Sequence, residues 1–330
     1  MINDLFSFKP VDTLFFKGSE PMVMGENHSS NFNFPPPAHT IEGAIRTKLY
    51  FKDKEKYKDL INIGKRKGGF SIIGPMFLVG EEIYVPAPYS WYKEVNKKEE
   101  DKDINEIKRF TNFTDVSECI KKTKIIKSKI VDNDMIKNII KTKAEKIYWA
   151  KSDNSELEST GGSWIKLNDI HGSSDEIKLF NKFYFFKTEP HVGIALKEDR
   201  TVRKSHIYAF THARLMEDVE IAFGINKIVP LDDGEVLQLG AEQRFGSLKR
   251  IKNLEVLEEK NKRENNYHSA YMSLSILEGN QETNEHIIAT GKIQYLGGWD
   301  IHKGFHKDMV GYFPPGTVLE KEICSGLISI

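Results

Sequence analysis

From Phe183 to Ile330 the sequence runs as short alternating or aromatic-rich segments: Phe183 to Lys197, Ser205 to Met216, Val219 to Phe223, Val236 to Leu239, Tyr267 to Leu277, His286 to Leu296, Thr317 to Ile323 and Leu327 to Ile330. Segments of this length and composition, separated by polar or glycine-bearing stretches, read as strands. Upstream, Phe70 to Val79 and Glu82 to Val85 read as a hairpin with Gly80 near its turn, and Leu14-Phe15-Phe16 as a short buried strand after Pro10. Such a chain is most economically built as two α+β halves with antiparallel sheets, residues 1–180 and 181–330.

The helical signal near the N-terminus follows a proline run. Pro35, Pro36 and Pro37 fix φ and push each preceding residue toward extended backbone, giving a stiff arm. Thr40 is then placed to cap a helix, with Glu42 in its first turn. Ile41, Ala44, Ile45 and Leu49 recur at helical spacing and supply its apolar face. Gly43 beside Ala44 offers a close approach to a sheet. Arg46 and Lys48 on the flanks are available to phosphates, to solvent or to a surface carboxylate. Gly68-Gly69 ends the helical region.

Residues 93–158 differ in composition. Between Lys121 and Lys146 stand nine lysines against Asp132, Asp134 and Glu145, with apolar pairs at Ile125-Ile126, Ile130-Val131, Met135-Ile136 and Ile139-Ile140. This reads as a lysine-rich, partly helical insertion whose basic face is either solvated or a contact surface for RNA.

Charge leaves the partner question open. Lys plus Arg and Asp plus Glu both number 48 in the 330 residues, so any nucleic-acid site is a local patch on a neutral surface. Cys119 and Cys324 form neither a disulfide framework nor a zinc motif and fit a reducing cytoplasm. The start, Met1 to Leu5, lacks the pattern of a signal peptide, and no run approaches the ~18 apolar residues of a membrane span. No Walker A, Gly-x-Gly-x-x-Gly, His-Glu-x-x-His or Gly-x-Ser-x-Gly sequence occurs. The ten histidines are scattered, and His302 and His306 flank glycine-containing sequence unsuited to a helical ligand pair. The residues thus predict no catalyst, no metal and no cofactor.

Several other residues bear on binding. Arg244 follows Glu242 at the spacing of one strand face, facing RNA or pairing within the protein. Gly297-Gly298 can present backbone N–H groups to a phosphate or form a bulge. Trp299 is either a base-stacking ring or a core tryptophan. Arg200, Arg203 and Lys204 read as a hairpin tip that reaches RNA, a neighbouring subunit or only solvent.

Four passages occur in order: Phe8-Lys9-Pro10-Val11-Asp12-Thr13-Leu14-Phe15-Phe16; Phe34-Pro35-Pro36-Pro37 leading to Thr40-Ile41-Glu42-Gly43-Ala44-Ile45-Arg46-Thr47; Leu239-Gly240-Ala241-Glu242-Gln243-Arg244; and Leu296-Gly297-Gly298-Trp299-Asp300 with Phe313-Pro314-Pro315-Gly316-Thr317. Together they resemble the third Cmr subunit family of type III-B CRISPR complexes, in the RAMP superfamily, over residue 8 to about 320. Glu42, Ile45 and Ala241 depart from the family pattern. The resemblance implies two ferredoxin-like, RRM-related halves and a non-catalytic RNA-binding role in antiviral defence. It further implies three partners: the 5′ handle of the CRISPR RNA, the large polymerase-like subunit and a backbone RAMP subunit. The expected RNA-binding residues are Thr40, Arg46, Lys48, Arg200, Arg203, Lys204, Arg244, Gly297, Gly298 and Trp299. A guide-processing endoribonuclease and a protein-only scaffold docking through the lysine-rich stretch are the alternatives.

Overall fold

The computed structural model describes residues 2–16, 32–65, 67–95, 109–131, 147–153, 155–252, 270–300 and 305–330, with the backbone alone at 195, 202–208, 299–300 and 305–306. Its centre is an eight-stranded antiparallel sheet. The strands are β1 (Asp4–Pro10), β2 (Ile72–Val79), β3 (Glu82–Pro86), β4 (Ser163–Lys166) and β5 (Phe180–Asn181). After a long hairpin of β6 (Phe186–Leu196) and β7 (Val202–Leu215), the sheet is completed by β8 (Val219–Ile225), β9 (Val236–Gln238) and β10 (Phe245–Arg250). The order across it is β5-β4-β3-β2-β8-β1-β10-β9.

β1 lies between β8 and β10, with Phe6 opposite both Phe223 and Arg250. The division expected near residue 180 therefore passes through one sheet, whose inner strands come from both sides of it. The expected strand at Leu14–Phe16 is corrected. The ladder strand is Asp4–Pro10, and Leu14 makes only an isolated bridge to Ala213. β1 is buried on both faces, so its polar Asp4 and Ser7 obscure the strand signal. Asp4 is held by an ion pair with Arg250, and Leu5, Phe6 and Phe8 are fully buried.

Alternation assigns the two faces of the sheet to two cores. Phe6, Phe8, Phe77, Ile221, Phe223 and Leu248 share one with Phe34 and with Ile41, Ile45 and Leu49 of helix α1 (Ala38–Asp53). Leu5, Met76, Leu78, Ile83, Val85 and Ile165 share the other with Met272, Leu274 and Ile328 from the C-terminal segments. The expected Thr40 cap is also corrected. The extended Pro37 (φ −66°, ψ 153°) is the N-cap, and Thr40 lies inside the helix, donating its N–H to the Pro37 carbonyl at 2.8 Å. The proline run sets the helix start, so Glu42 falls beyond the first turn. The close approach expected at Gly43 is absent, since a Cβ there would meet nothing within 4 Å. The short helix α2 (Lys58–Ile61) follows and ends at Asn62 in the left-handed region, φ 53°.

The hairpin expected at Phe70–Val85 is present as β2 and β3, with Val79 opposite Glu82. The lysine-rich stretch differs from its expectation. Its described part holds one helix, α3 (Phe113–Cys119), and strands at Lys122–Lys127, Lys129–Val131, Ile147–Trp149 and Leu157–Ser159. Ile125-Ile126 and Ile130-Val131 occupy strands rather than helices, as their β-branching favours. Met135-Ile136 and Ile139-Ile140 lie outside the described residues. The start of α3 is capped by the Asp218 carboxylate, which accepts from the N–H groups of Phe113 (2.7 Å) and Thr114 (2.9 Å). A small sheet of Leu277–Glu278, β11 (Gln294–Asp300) and β12 (Phe305–Phe313) lies near the C-terminus.

Phe185 is stacked between Phe77 and Phe113, each 4.3 Å away between ring centroids, and Trp164 lies 4.6 Å from Phe77. Truncating the centre of a fully buried ring layer removes transfer energy and leaves a cavity. Phe185→Ala is expected to lower unfolding free energy by about 3–5 kcal/mol. Urea denaturation checks this, and a change below about 1 kcal/mol would show that the layer is dispensable.

Candidate nucleic-acid interface

The motif residues meet one another in the folded chain. After β1, Leu14 exchanges two 2.8 Å backbone hydrogen bonds with Ala213 of β7, which ties residues 12–16 to the base of the β6–β7 hairpin. Against them lies the turn 239–244, where the Ala241 N–H donates to the Phe15 carbonyl at 2.9 Å. Gly240 has φ +99°, and a Cβ there would sit 2.8 Å from the Phe15 carbonyl oxygen, so glycine is required by conformation and by space. Glu242 and Gln243 are left-handed, φ 57° and 55°. The strand face expected for Glu242 and Arg244 is thus a turn, which still brings the two within 3.3 Å.

A cluster of charge fills this junction. Asp12 pairs with Arg244 at 3.1 Å and with Arg214 at 2.9 Å, and Arg214 grips the Glu189 carboxylate with two prongs. Burial works against ionisation of Asp12. The Thr13 backbone N–H and the two guanidiniums outweigh it and hold the carboxyl below its ordinary range. Arg214 does the same for Glu189. His212 is fully buried, with Nδ1 3.0 Å from the Thr13 hydroxyl and Nε2 3.4 Å from Glu242. Its ring stacks on Phe15 at 5.2 Å and on His191 at 3.9 Å. Burial, then the neighbouring His191, push the His212 pKa down, against the pull of Glu242.

The other basic candidates in and next to the second and third passages are also engaged inside the protein. Arg46 donates to the carbonyls of Ile61 (2.7 Å), Asn62 (3.2 Å) and Lys65 (3.0 Å), closing the carbonyl end of α2. Glu42 lies 3.6 Å from Arg46 and accepts from the Gly68 N–H at 2.5 Å. Lys48 donates to the Val236 carbonyl at 2.9 Å and pairs with Glu235 at 3.2 Å, joining α1 to the sheet edge. Arg244 is likewise bound to Asp12 and Glu242. Of the readings left open for these side chains, the geometry favours pairing within the protein.

The hairpin expected from the sequence is present, and three of the candidates lie on it. Arg200 sits at its tip, exposed and left-handed at φ 63°. Arg203 and Lys204 fall within β7, beside the tip rather than on it. Val192, Ile194 and Leu196 line one side of β6 with exposures of 68%, 48% and 47%, an apolar stripe beside the basic tip. Gly297 and Gly298 lie in β11, where the register against β12 shifts between Leu296 and Gly298, so a bulge is what the pair makes. Trp299 is in the same strand and its side chain lies outside the described atoms, as does that of His306. The ten candidates therefore sit on α1, the β6–β7 hairpin, the 239–244 turn and β11. The stacked His191–His212 pair was missed. A register shift between Ile194 and Leu196 breaks the count from the turn that would have set Glu189 opposite His212.

Antiparallel sheets around a twice-covered centre, few helices among the described residues and a long hairpin define the class: a mixed α/β protein. Among the described residues no helix is long and apolar enough to cross a membrane. The family model for the CRISPR-associated protein Cas_Cmr3 matches residues 6–319, and the chain belongs to that family. A chain in the cryo-EM structure of the type III-B Cmr-beta complex bound to cognate target RNA is similar to it, with a TM-score of 0.50 and 15% identity, covering 96% of this chain and 86% of that one. A chain of the Csm3–Csm4 subcomplex of the type III-A interference complex has a TM-score of 0.44 and 15% identity, covering 99% and 94%. No curated protein matches.

The depressed pKa of His212 has a pH consequence. An unfolded histidine titrates near ~6.5, so the folded state, which disfavours the charged ring, loses stability as pH falls through and below that value. The lowered Asp12 and Glu189 contribute stability that is lost only in stronger acid, as pH falls through the carboxylate range. The melting temperature is expected to drop between pH 7.5 and 5.5, and His212→Phe, which keeps the stack, is expected to shrink the drop. An equal drop in both proteins would contradict this account of the junction.

Proposed function

We propose that this protein is the non-catalytic RNA-binding subunit of a type III CRISPR ribonucleoprotein. It holds the repeat-derived 5′ handle of the guide and stands between the large polymerase-like subunit and a backbone subunit, in the cytoplasm. The observation that carries this reading is the family match over residues 6–319. The similar Cmr-beta chain belongs to an assembly bound to target RNA, which supports it. Within this proposal the sheets derive from two ferredoxin-like halves. The non-catalytic part rests on the sequence, which holds no recognisable active-site motif.

The physics suits a subunit that binds within an assembly. Net charge is zero, and the basic side chains of α1 and the 239–244 turn are paired with carboxylates or carbonyls. Arg200 at the hairpin tip is exposed, and Arg203 and Lys204 follow it in β7. A single-stranded end is gripped by phosphate contacts, backbone amides and unstacked bases. The purified chain is expected to bind RNA weakly at physiological salt and the assembled one tightly.

Co-expression with partner subunits and a repeat–spacer array, followed by ultraviolet crosslinking, tests this. The chain is expected to crosslink to the handle. Arg200→Ala, Arg203→Ala and Lys204→Ala together are expected to weaken retention severalfold, and to reduce the salt slope by about 0.7 for each phosphate that is no longer neutralised. Assembly free of RNA from cells that express the array would overturn the proposal.

A further inference from the structure

We propose that the outer face of His191 is a stacking platform for one unpaired nucleobase of the RNA, an inference that rests on the RNA-holding role proposed above. Three rings form a column. Phe15 and His212 lie 5.2 Å apart at 9°, and His212 and His191 lie 3.9 Å apart at 4°. The middle ring is fully buried, whereas 43% of the His191 side chain is exposed. One face of His191 is covered by His212, so its exposure belongs to the other face and to the ring edge.

The hairpin register says where that face looks. Glu189 is opposite His212, and His191 is opposite Phe210, one rung closer to the tip. His212 therefore covers His191 from the base, and the exposed part of the ring lies on the tip side, where Gly193 is the next residue of β6 on that face. Glycine places no side chain in that space on β6. The column thus ends in the His191 ring, whose side chain is 43% exposed, on the hairpin that carries the exposed Arg200 at its tip.

The column is held rigid before any ligand arrives. The Thr13 hydroxyl fixes His212 through Nδ1, and Glu242 lies against its other nitrogen. Glu189, clamped by Arg214, sits 3.7 Å from Nε2 of His191 and restrains its edge. A pre-oriented ring loses little freedom on binding. A flat π-surface of this kind accepts any base, which suits a strand end gripped mainly by its backbone. Charge favours a polyanion such as RNA over a basic or neutral partner: residues 186–215 contain Lys187, Lys197, Arg200, Arg203, Lys204 and Arg214 against Glu189, Glu198 and Asp199.

The test uses the assembled complex with guide RNAs carrying 2-aminopurine at successive single positions of the handle. At least one position is expected to be quenched in the wild type and in His191→Phe, and to brighten in His191→Ala. Guide retention is expected to weaken roughly tenfold in the alanine variant and to recover with phenylalanine. Because the contact is a stacked one, the slope of affinity against salt is expected to stay unchanged. Unchanged quenching and retention in His191→Ala would overturn the platform and leave the handle-holding role standing. Loss of a protein subunit from the His191→Ala complex, with quenching intact, would assign the face to a protein partner and overturn it too. A wild-type complex that carries no guide would overturn both proposals.

Discussion

Two backbone hydrogen bonds between Leu14 and Ala213, backed by the ion pairs of Asp12 with Arg214 and Arg244, join the β6–β7 hairpin to the central sheet. A two-stranded hairpin standing alone in water is marginally stable at best. Among the described strands its two partners are each other, with the isolated Leu14–Ala213 bridge at the base, so its orientation depends on that junction. That junction is made by the residues that follow β1, and β1 itself is placed by strands that arrive more than two hundred residues later. The arm is therefore aimed by the most sequence-distant pairings in the fold, and it can take its direction only after the sheet has closed.

The ordered sequence passages acquire a physical meaning from this arrangement. The first and third meet at the Asp12–Arg244 pair and at the hydrogen bond from Ala241 to Phe15. The residue directly after the second, Lys48, reaches the strand before the third at Val236. The fourth packs into the N-terminal part, where the Tyr89 N–H donates to the Gly316 carbonyl at 3.0 Å; Gly316 has φ +90°, and a Cβ there would lie 2.4 Å from the Ala87 carbonyl oxygen. Residues that look like RNA ligands when read singly are in large part the ties that hold distant segments in register. A family pattern of this kind records a fold first, and a binding surface through the elements that the fold orients.

Local signals were legible where local physics decides the outcome. The β2–β3 hairpin, the long β6–β7 hairpin and the apolar face of α1 follow from periodicity and turn chemistry. The misreadings have specific causes. β1 is buried on both faces and carries Asp4 and Ser7, so it shows no alternation. Thr40 has the chemistry of a cap, but Pro37 already supplies the cap geometry earlier in the chain. Ile125-Ile126 and Ile130-Val131 fit helical or strand spacing equally, and tertiary pairing decided for strands. At the site, the sequence placed Arg200 at a hairpin tip, where the fold also has it, and left pairing within the protein open for Arg46, Lys48 and Arg244 without naming their partners, which lie 15 to 232 residues away. The histidine stack depends on a register that a bulge offsets, and no count along the chain recovers it.

The central claim is that the junction at Asp12 aims the hairpin at the guide. A cryo-EM structure of the assembled complex tests it most directly. The account predicts density for the handle along the β6–β7 hairpin, with phosphates near Arg200, Arg203 or Lys204 and with Asp12, Arg214 and Arg244 still paired to one another. A complex in which the hairpin is enclosed by protein and the handle runs along a different element of this chain, or along another subunit, would contradict it.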